Sequence, residues 1–503
     1  MASLIFLYAL LFVPPFIPVV ASIGDTLYYV CDGKRMYEGD AIYRDFFQFL
    51  TPGTSVTYFL LFKIFGLRSW VPNLSVLLLG FALAGLGVAI ARKLMGPSLA
   101  LLPSAIFLAG IYKNQLHPIH HWYSLLGTMA ALVALMERRT PARIAAAGGF
   151  CGLAASFTQT RGVAVAMAVG AFLCWESRRR QADWRDTVKK EAILLVGFLA
   201  TLIAGNAYFA WKAGLARFLW CTVVFVIKYY HQDGGPNTFL GSLQDFPMTG
   251  PLSSFPIRFA QWSFIFAVVP FTYVLFFARY WRESGKTPTE DWERPMLLAM
   301  VGSSLLLSVA PAPSLGRMGP SVLPGIILLG WFLDSPRKLG RVLATSLAVG
   351  VLLIVTHAVA GFQSREKSIL TEPQGPIAIT VPELREELAW VEQHTRPSEY
   401  FYATADPGLY FYGDLRNPTP VPFVTDTGYT TPEQVADVIR GLEQHHVRYI
   451  SWDVVELGAA SDWGNPADHR LGPLWNYIHS HYRMVKVFAD SDEIWERKRE
   501  DGD

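Results

Sequence analysis

The chain has 503 residues, 52% of them hydrophobic and 14% aromatic, and a formal net charge of +2. That composition excludes a single soluble globule, and so small a charge excludes a nucleic-acid surface built on excess lysine and arginine. Four cysteines, Cys31, Cys151, Cys174 and Cys221, show no CxxC or CxxH spacing, so neither a zinc site nor a disulfide framework is indicated.

Apolar runs near the length of a bilayer crossing recur along the chain. They predict a polytopic α-helical membrane protein of about eleven spans. The runs lie near 3–22, 71–91, 97–112, 120–136, 142–160, 161–176, 191–211, 259–279, 295–310, 319–333 and 341–361. The first lacks a basic leader, and its PVVAS ending weakly resembles a signal-peptidase site; it reads as a retained helix kinked at Pro14 and Pro15. Arg92 and Lys93, Glu137 to Arg139, Ser177 to Lys190, Arg279 to Arg294 and Arg337 to Arg341 fall on alternate ends of these runs. The positive-inside rule makes those ends cytoplasmic. The loop 23–70, the turns 112–119, near Thr160 and 311–318, and the long loop 211–258 then share the outer face.

The expected division is a transmembrane domain, 1–362, and an extracytoplasmic α/β domain, 363–503, because the composition turns charged and rich in Pro and Asp at about Gln363. In this tail EYFYAT (399–404), VRYISWD (447–453) and YRMVKVFA (482–489) read as strands. The segments 432–446 and 473–481 read as helices.

The first outer loop is too polar to span. If it is helical from Gly24, then Asp25, Tyr28 or Tyr29, and Asp32 share one face, since residues three, four and seven apart stack. A carboxylate framed by phenols suits proton abstraction at a membrane surface; helix capping is the competing role for Asp25. Arg44 and Asp45 precede a short apolar segment, Pro52 to Gly66, that reads as a surface or re-entrant helix. Tyr43, Phe46 and Phe47 there fit an interfacial aromatic belt as well.

On the outer face Arg161, Lys228 and Arg317 are candidates to hold an anionic group, because cations near the apolar boundary are costly unless paired or snorkelling. Arg317 stands out because its turn, PSLGRMGP, is tight and bounded by Pro and Gly. Tyr229, Tyr230 and His231 open a long stretch with GG and several prolines, which fits a substrate lid or a plain interfacial loop. In LHPIHHWYS, His117, His120 and His121 suit a divalent ion, a phosphate, or the cap of the next helix. Cys31 and Cys221 both fall outside, where a disulfide is allowed but nothing fixes their distance.

Taken in order, these segments resemble the membrane glycosyltransferases of the C-type fold, nearest to bacterial enzymes related to protein O-mannosyltransferases and the aminoarabinose transferase of lipid A. The carriers are the acid and tyrosines after the first run, YRDFF (43–47), the Pro-initiated helix ending FG, GLAASFTQTRG (152–162) and ADPGLYFYGDLRNPT (405–419). The resemblance implies an inverting transfer of a sugar from a polyprenyl-phosphate carrier to an acceptor hydroxyl, outside a bacterial cytoplasmic membrane. It maps the family's aspartate onto Asp25, with Thr26 where a second acid is usual. Arg317, Arg161 and Lys228 would hold the donor phosphate, and Tyr28, Tyr29, Arg44, Asp45, Tyr229 and Tyr230 would shape the sugar and acceptor site. The partners implied are the lipid-linked donor, membrane lipids and an acceptor glycan, lipid or protein, with no nucleic acid. No cofactor is certain; a divalent metal at His120 and His121 is allowed. Two other classes fit a membrane chain of this kind, a lipid-linked glycan transporter or flippase and a non-catalytic envelope scaffold. The first would be expected to show an internal repeat or acids within spans, and neither is found.

Overall fold

The computed structural model describes residues 1–22, 24–229, 239, 255–285, 289–334, 338–458, 469–489 and 491–499. Helix α1 (Ala2–Leu11) is followed by α2 (Tyr28–Glu38), α3 (Gly53–Phe65) and α4 (Val71–Ala91). A run of mixed helical turns, α5 (Leu99–Asn114), leads to α6 (His120–Leu135), α7 (Pro141–Phe157), α8 (Gln159–Arg179) and α9 (Trp184–Ala213). After short turns at 215–229 come α10 (Phe255–Glu283), α11 (Thr289–Val309), the bent pair α12 (Leu315–Ser321) and α13 (Leu323–Leu333), and α14 (Lys338–Ser364).

Among the described residues four helices are long and apolar enough to cross a membrane by themselves, α4, α9, α10 and the Gly340–Ser364 part of α14, and the α12–α13 pair, bent by 51°, would make a fifth. On α9, Leu195, Val196, Leu199 and Ile203 are exposed, as suits a face turned to lipid, where apolar surface carries no penalty. The opposite face of α9 packs so closely on α7 that a Cβ on Gly148 would lie 2.1 Å from the Leu194 carbonyl oxygen, and one on Gly152 2.4 Å from that of Phe198.

The first expected span is corrected. Helix α1 covers only ten residues, about 15 Å, and the chain then forms an antiparallel hairpin, β1 (Phe12–Val13) and β2 (Ile17–Val20). Pro14, Pro15 and Pro18 lack the N–H donors a helix would need, and a hairpin edge tolerates them.

Four of the five clusters read as sharing one side, those at 92–93, 137–139, 177–190 and 279–294, meet at one end. Arg139 bridges Glu176 (3.1 Å) and Glu293, Arg180 reaches Glu293, and Lys93 pairs with Glu137 at 2.7 Å. Glu176 and Glu293 are almost fully buried, so the network ties α8 and α11 to the α6–α7 turn.

Beyond α14 the hairpin β3 (Ser368–Glu372) and β4 (Gly375–Ile379) joins the N-terminal one in a four-stranded sheet of order β1-β2-β4-β3, with β2 and β4 parallel. The rest is α/β: α15 (Pro382–His394), α16 (Gly408–Tyr412), α17 (Pro432–Gln444) and α18 (Gly472–His481) around a sheet of order β5-β6-β8-β7. Its strands are Phe401–Ala403, Tyr449–Trp452, Tyr482–Val487 and Glu493–Arg497 for β5, β6, β7 and β8. Three strands and two helices fall where the sequence predicts them. A Thr431–Gln434 capping box starts α17, as its Thr-Pro opening suggests.

Candidate active site

A cavity of about 820 Å³ opens where the ends of the helices meet the tail. Its floor comes from the first loop. Gly24, Thr26, Tyr28 and Tyr29 line it, the chain making a single 3₁₀ turn, Asp25–Leu27, before α2. Residue Leu27 occupies the N-cap of α2 and makes no side-chain cap bond, so Asp25 is not the cap residue of that helix. The Asp25 side chain itself lies outside what is described. The Tyr28 hydroxyl donates to the Ala405 carbonyl at 3.1 Å and its ring packs on Phe423, while the Tyr29 ring lies 5.4 Å from His120.

The second wall is the membrane side. His117, His120, His121, Gln115 and Arg317 line it. His120 Nδ1 and Thr158 Oγ1 share a hydrogen bond of 2.8 Å, which fixes that ring to the α7–α8 break. Gln115 donates to the Leu315 carbonyl at 2.8 Å and so ties the turn after α5 to the turn carrying Arg317. Burial holds the His117 imidazole below its usual pKa. Arg161 is buried behind this wall and donates to the Arg317 carbonyl at 2.7 Å, bringing the two arginines into one locality.

The third wall is the tail. Glu387, Asp406 and Asp492 are buried and present carboxylate oxygens within 4.8 Å of one another, and Asp426 and Asp453 also line the cavity. These three carboxylates are the group able to hold a metal ion among the described residues, and oxygen donors of this kind suit a hard cation. The three histidines do not converge in that way. Asp406 stands beside the first loop, its Oδ1 3.9 Å from where a Cβ on Gly24 would be.

Several expected residues lie elsewhere. Asp32 shares α2 but does not line the cavity, accepting from Gln48 Nε2 at 2.8 Å and Ser55 Oγ at 2.9 Å. Burial pushes its carboxyl up to about 6. Arg44 and Asp45 pair with each other through two hydrogen bonds of 2.8 and 2.7 Å and do not line the cavity. Adjacent opposite charges satisfy each other locally, leaving neither to reach inward. Lys228 sits 5.0 Å over the Tyr229 ring, and Tyr229 packs on Phe225; neither lines the cavity. Tyr230, and His231 with the stretch after it, fall outside the described residues. Cys31 and Cys221 are free and buried.

The charge pattern is therefore polar in the literal sense, arginine on the membrane side and carboxylates on the tail side. The whole chain superposes on known structures. ArnT from Cupriavidus metallidurans, bound to undecaprenyl phosphate, matches with a TM-score of 0.60 at 14% identity, over 99% of this chain and 97% of that one. The chain has the C-type glycosyltransferase fold. A second C-type neighbour is the archaeal oligosaccharyltransferase AglB from Archaeoglobus fulgidus, in complex with an inhibitory peptide and a dolichol-phosphate. It matches with a TM-score of 0.54 at 11% identity, over 100% of this chain and 74% of that one. No protein-family model and no curated protein matches the sequence. The fold expected from the order of the segments is thus found, although no single motif carries it.

Proposed function

We propose that this C-type protein is a membrane glycosyltransferase that moves a sugar from a polyprenyl-phosphate carrier to an acceptor hydroxyl on the outer face of a bacterial cytoplasmic membrane. The supporting observation is the cavity itself, in which the turn that carries Asp25 faces Arg317 across a space large enough for a sugar and its phosphate. The tail, 363–503, then lies outside with the first loop, as the remaining wall. Two structural neighbours, solved with undecaprenyl phosphate and dolichol-phosphate, are consistent with a lipid phosphate as donor group.

In the step proposed, the Asp25 carboxylate accepts the proton of the acceptor hydroxyl as its oxygen bonds to the anomeric carbon. The bond from that carbon to the phosphate oxygen breaks on the opposite side, so the configuration inverts. The electron pair leaves with the polyprenyl phosphate, whose charge Arg317 stabilises, with Arg161 buttressing the turn through its carbonyl. Tyr28 and Tyr29 offer ring faces to the sugar. The carboxylates of the tail fit a metal as a donor set, and an ion there would add positive charge beside the acceptor; every role above belongs to side chains of the chain itself.

The test is transfer by full-length protein in lipid nanodiscs, with a labelled polyprenyl-phosphate sugar and a panel of acceptors. Asp25→Asn is expected to insert and fold normally and to lose at least about a hundredfold in turnover. Near-normal turnover by that variant removes Asp25 from the mechanism.

A further inference from the structure

We propose that Lys34 is a positioning residue, clamping the tail segment 405–420 onto α2 so that the tail forms a fixed wall of the cavity and not a loosely tethered module. This inference rests on the transferase reading and assigns a further residue to it. Lys34 is 2% exposed and lies away from the lining of the large cavity. An ammonium buried to that degree is tolerable only when paired. Its partners are Glu38 Oε1 at 2.5 Å on its own helix, and Asp414 Oδ1 at 3.3 Å and the Leu415 carbonyl at 3.0 Å on the tail. Two of the three partners therefore come from a segment some 380 residues further along the chain, and without it the cation would keep only Glu38.

The clamp is one rung of a ladder that runs the length of α2. Nearest the Asp25 turn, Tyr28 donates to Ala405; one helical turn on, Cys31 Sγ donates to the Pro407 carbonyl at 2.8 Å. Past Lys34, Arg35 Nη1 donates to the Thr419 carbonyl at 3.0 Å, and the Phe47 amide donates to that of Pro420 at 2.8 Å. Asp406 sits between the first two rungs and is thereby held beside Gly24. Asp414 adopts a left-handed backbone, φ 51°, uncommon for a residue with a side chain, and the surroundings must hold it there. Lys34 and the Ser398 amide, which donates to the Asp414 carbonyl, supply such restraint. The register of α2 against this segment thus sets the gap between the Asp25 turn and the acidic wall. A shift of about 1 Å in such a gap is enough to misalign an acceptor while leaving the opposite, phosphate-binding wall untouched.

The experiment compares full-length wild type, Lys34→Met and Lys34→Met/Asp414→Asn in nanodiscs. Amide exchange of 405–420 reads the clamp, and the partition of the labelled donor between transfer and hydrolysis reads its consequence. In Lys34→Met the segment is expected to exchange about tenfold faster. The KM for acceptor and the ratio of hydrolysis to transfer are expected to rise about tenfold while the Kd for polyprenyl phosphate stays within about twofold. The double variant neutralises the tail-side member of the two carboxylates that lose the cation, Asp414 and Glu38, so folding yield should recover in part while the altered partition persists. Full recovery of transfer in the double variant would reduce Lys34 to charge balance and overturn the proposal; so would wild-type exchange in Lys34→Met, or a parallel fall in donor affinity. If wild type turns over no polyprenyl-phosphate sugar yet Lys34→Met loosens 405–420, the transferase reading fails and the clamp stands as architecture; turnover with unchanged exchange sinks the clamp alone.

Discussion

Asp32 and Arg317 show how far neighbours decide what a charged side chain does. Asp32 is an acid on α2, four residues past Tyr28, yet its carboxyl is buried and held up to about 6 against a usual 3.8. Between those two values the folded chain keeps a proton that the unfolded chain has released, so stability falls as pH rises from about 4 to 6 and is flat above. Asp32→Asn keeps an oxygen for Gln48 and Ser55 and removes the ionisation. Thermal unfolding in nanodiscs is expected to lose that slope and to gain about 1–3 kcal/mol at pH 7; an unaltered slope would contradict the burial argument. Arg317 is the opposite case, a cation lining the cavity. Arg317→Ala is expected to weaken polyprenyl-phosphate binding by about ten- to a hundredfold, measured by titration, because a charge-assisted contact is lost.

At the scale of elements, the close approach of α7 and α9 makes its own prediction. Gly152→Val would drive a branched side chain into the Phe198 carbonyl, and the helices would have to separate, at a cost of about 1–3 kcal/mol; lower thermal stability with an unchanged donor Kd is expected, since Gly152 does not line the cavity. Elements were legible in the sequence where one physical force set them. Long apolar runs gave α4, α9 and α14, and a helical period with a Thr-Pro start gave α17. The first segment misled because its apolarity outweighs its prolines in a hydropathy window, although Pro14, Pro15 and Pro18 forbid a continuous helical ladder. Among site residues, Arg317 was visible because Pro and Gly confine its turn. Glu387, Asp453 and Asp492 were not, being single acids far apart in sequence that meet only through the tail's fold. Asp406 opens an Asp-Pro-Gly sequence of the kind that forms turns, and its place beside Gly24 depends on contacts across nearly the whole chain.

On the whole-molecule scale, the cavity joins the first loop, the ends of several helices and the tail, so a ligand seated there should stabilise all of them together. Saturating polyprenyl phosphate, at about 100 times its Kd, is expected to add about 2.7 kcal/mol to unfolding in nanodiscs, seen as a single shifted transition, and at the same concentration Arg317→Ala is expected to cut that gain to about 0.4–1.4 kcal/mol. Two separate transitions, only one of them shifted, would mean that the tail melts on its own. The N-terminal hairpin bears on the same unity. Strand β2 pairs with β4, so residues near position 20 are zipped to residues near position 378, on the far side of the last helix. During synthesis that seam cannot close until α14 has emerged and its following hairpin has been delivered to the same side. A nascent chain would therefore hold the arginine side of the chamber long before its acidic side, and a ribosome stalled after α13 would leave an open half-vessel.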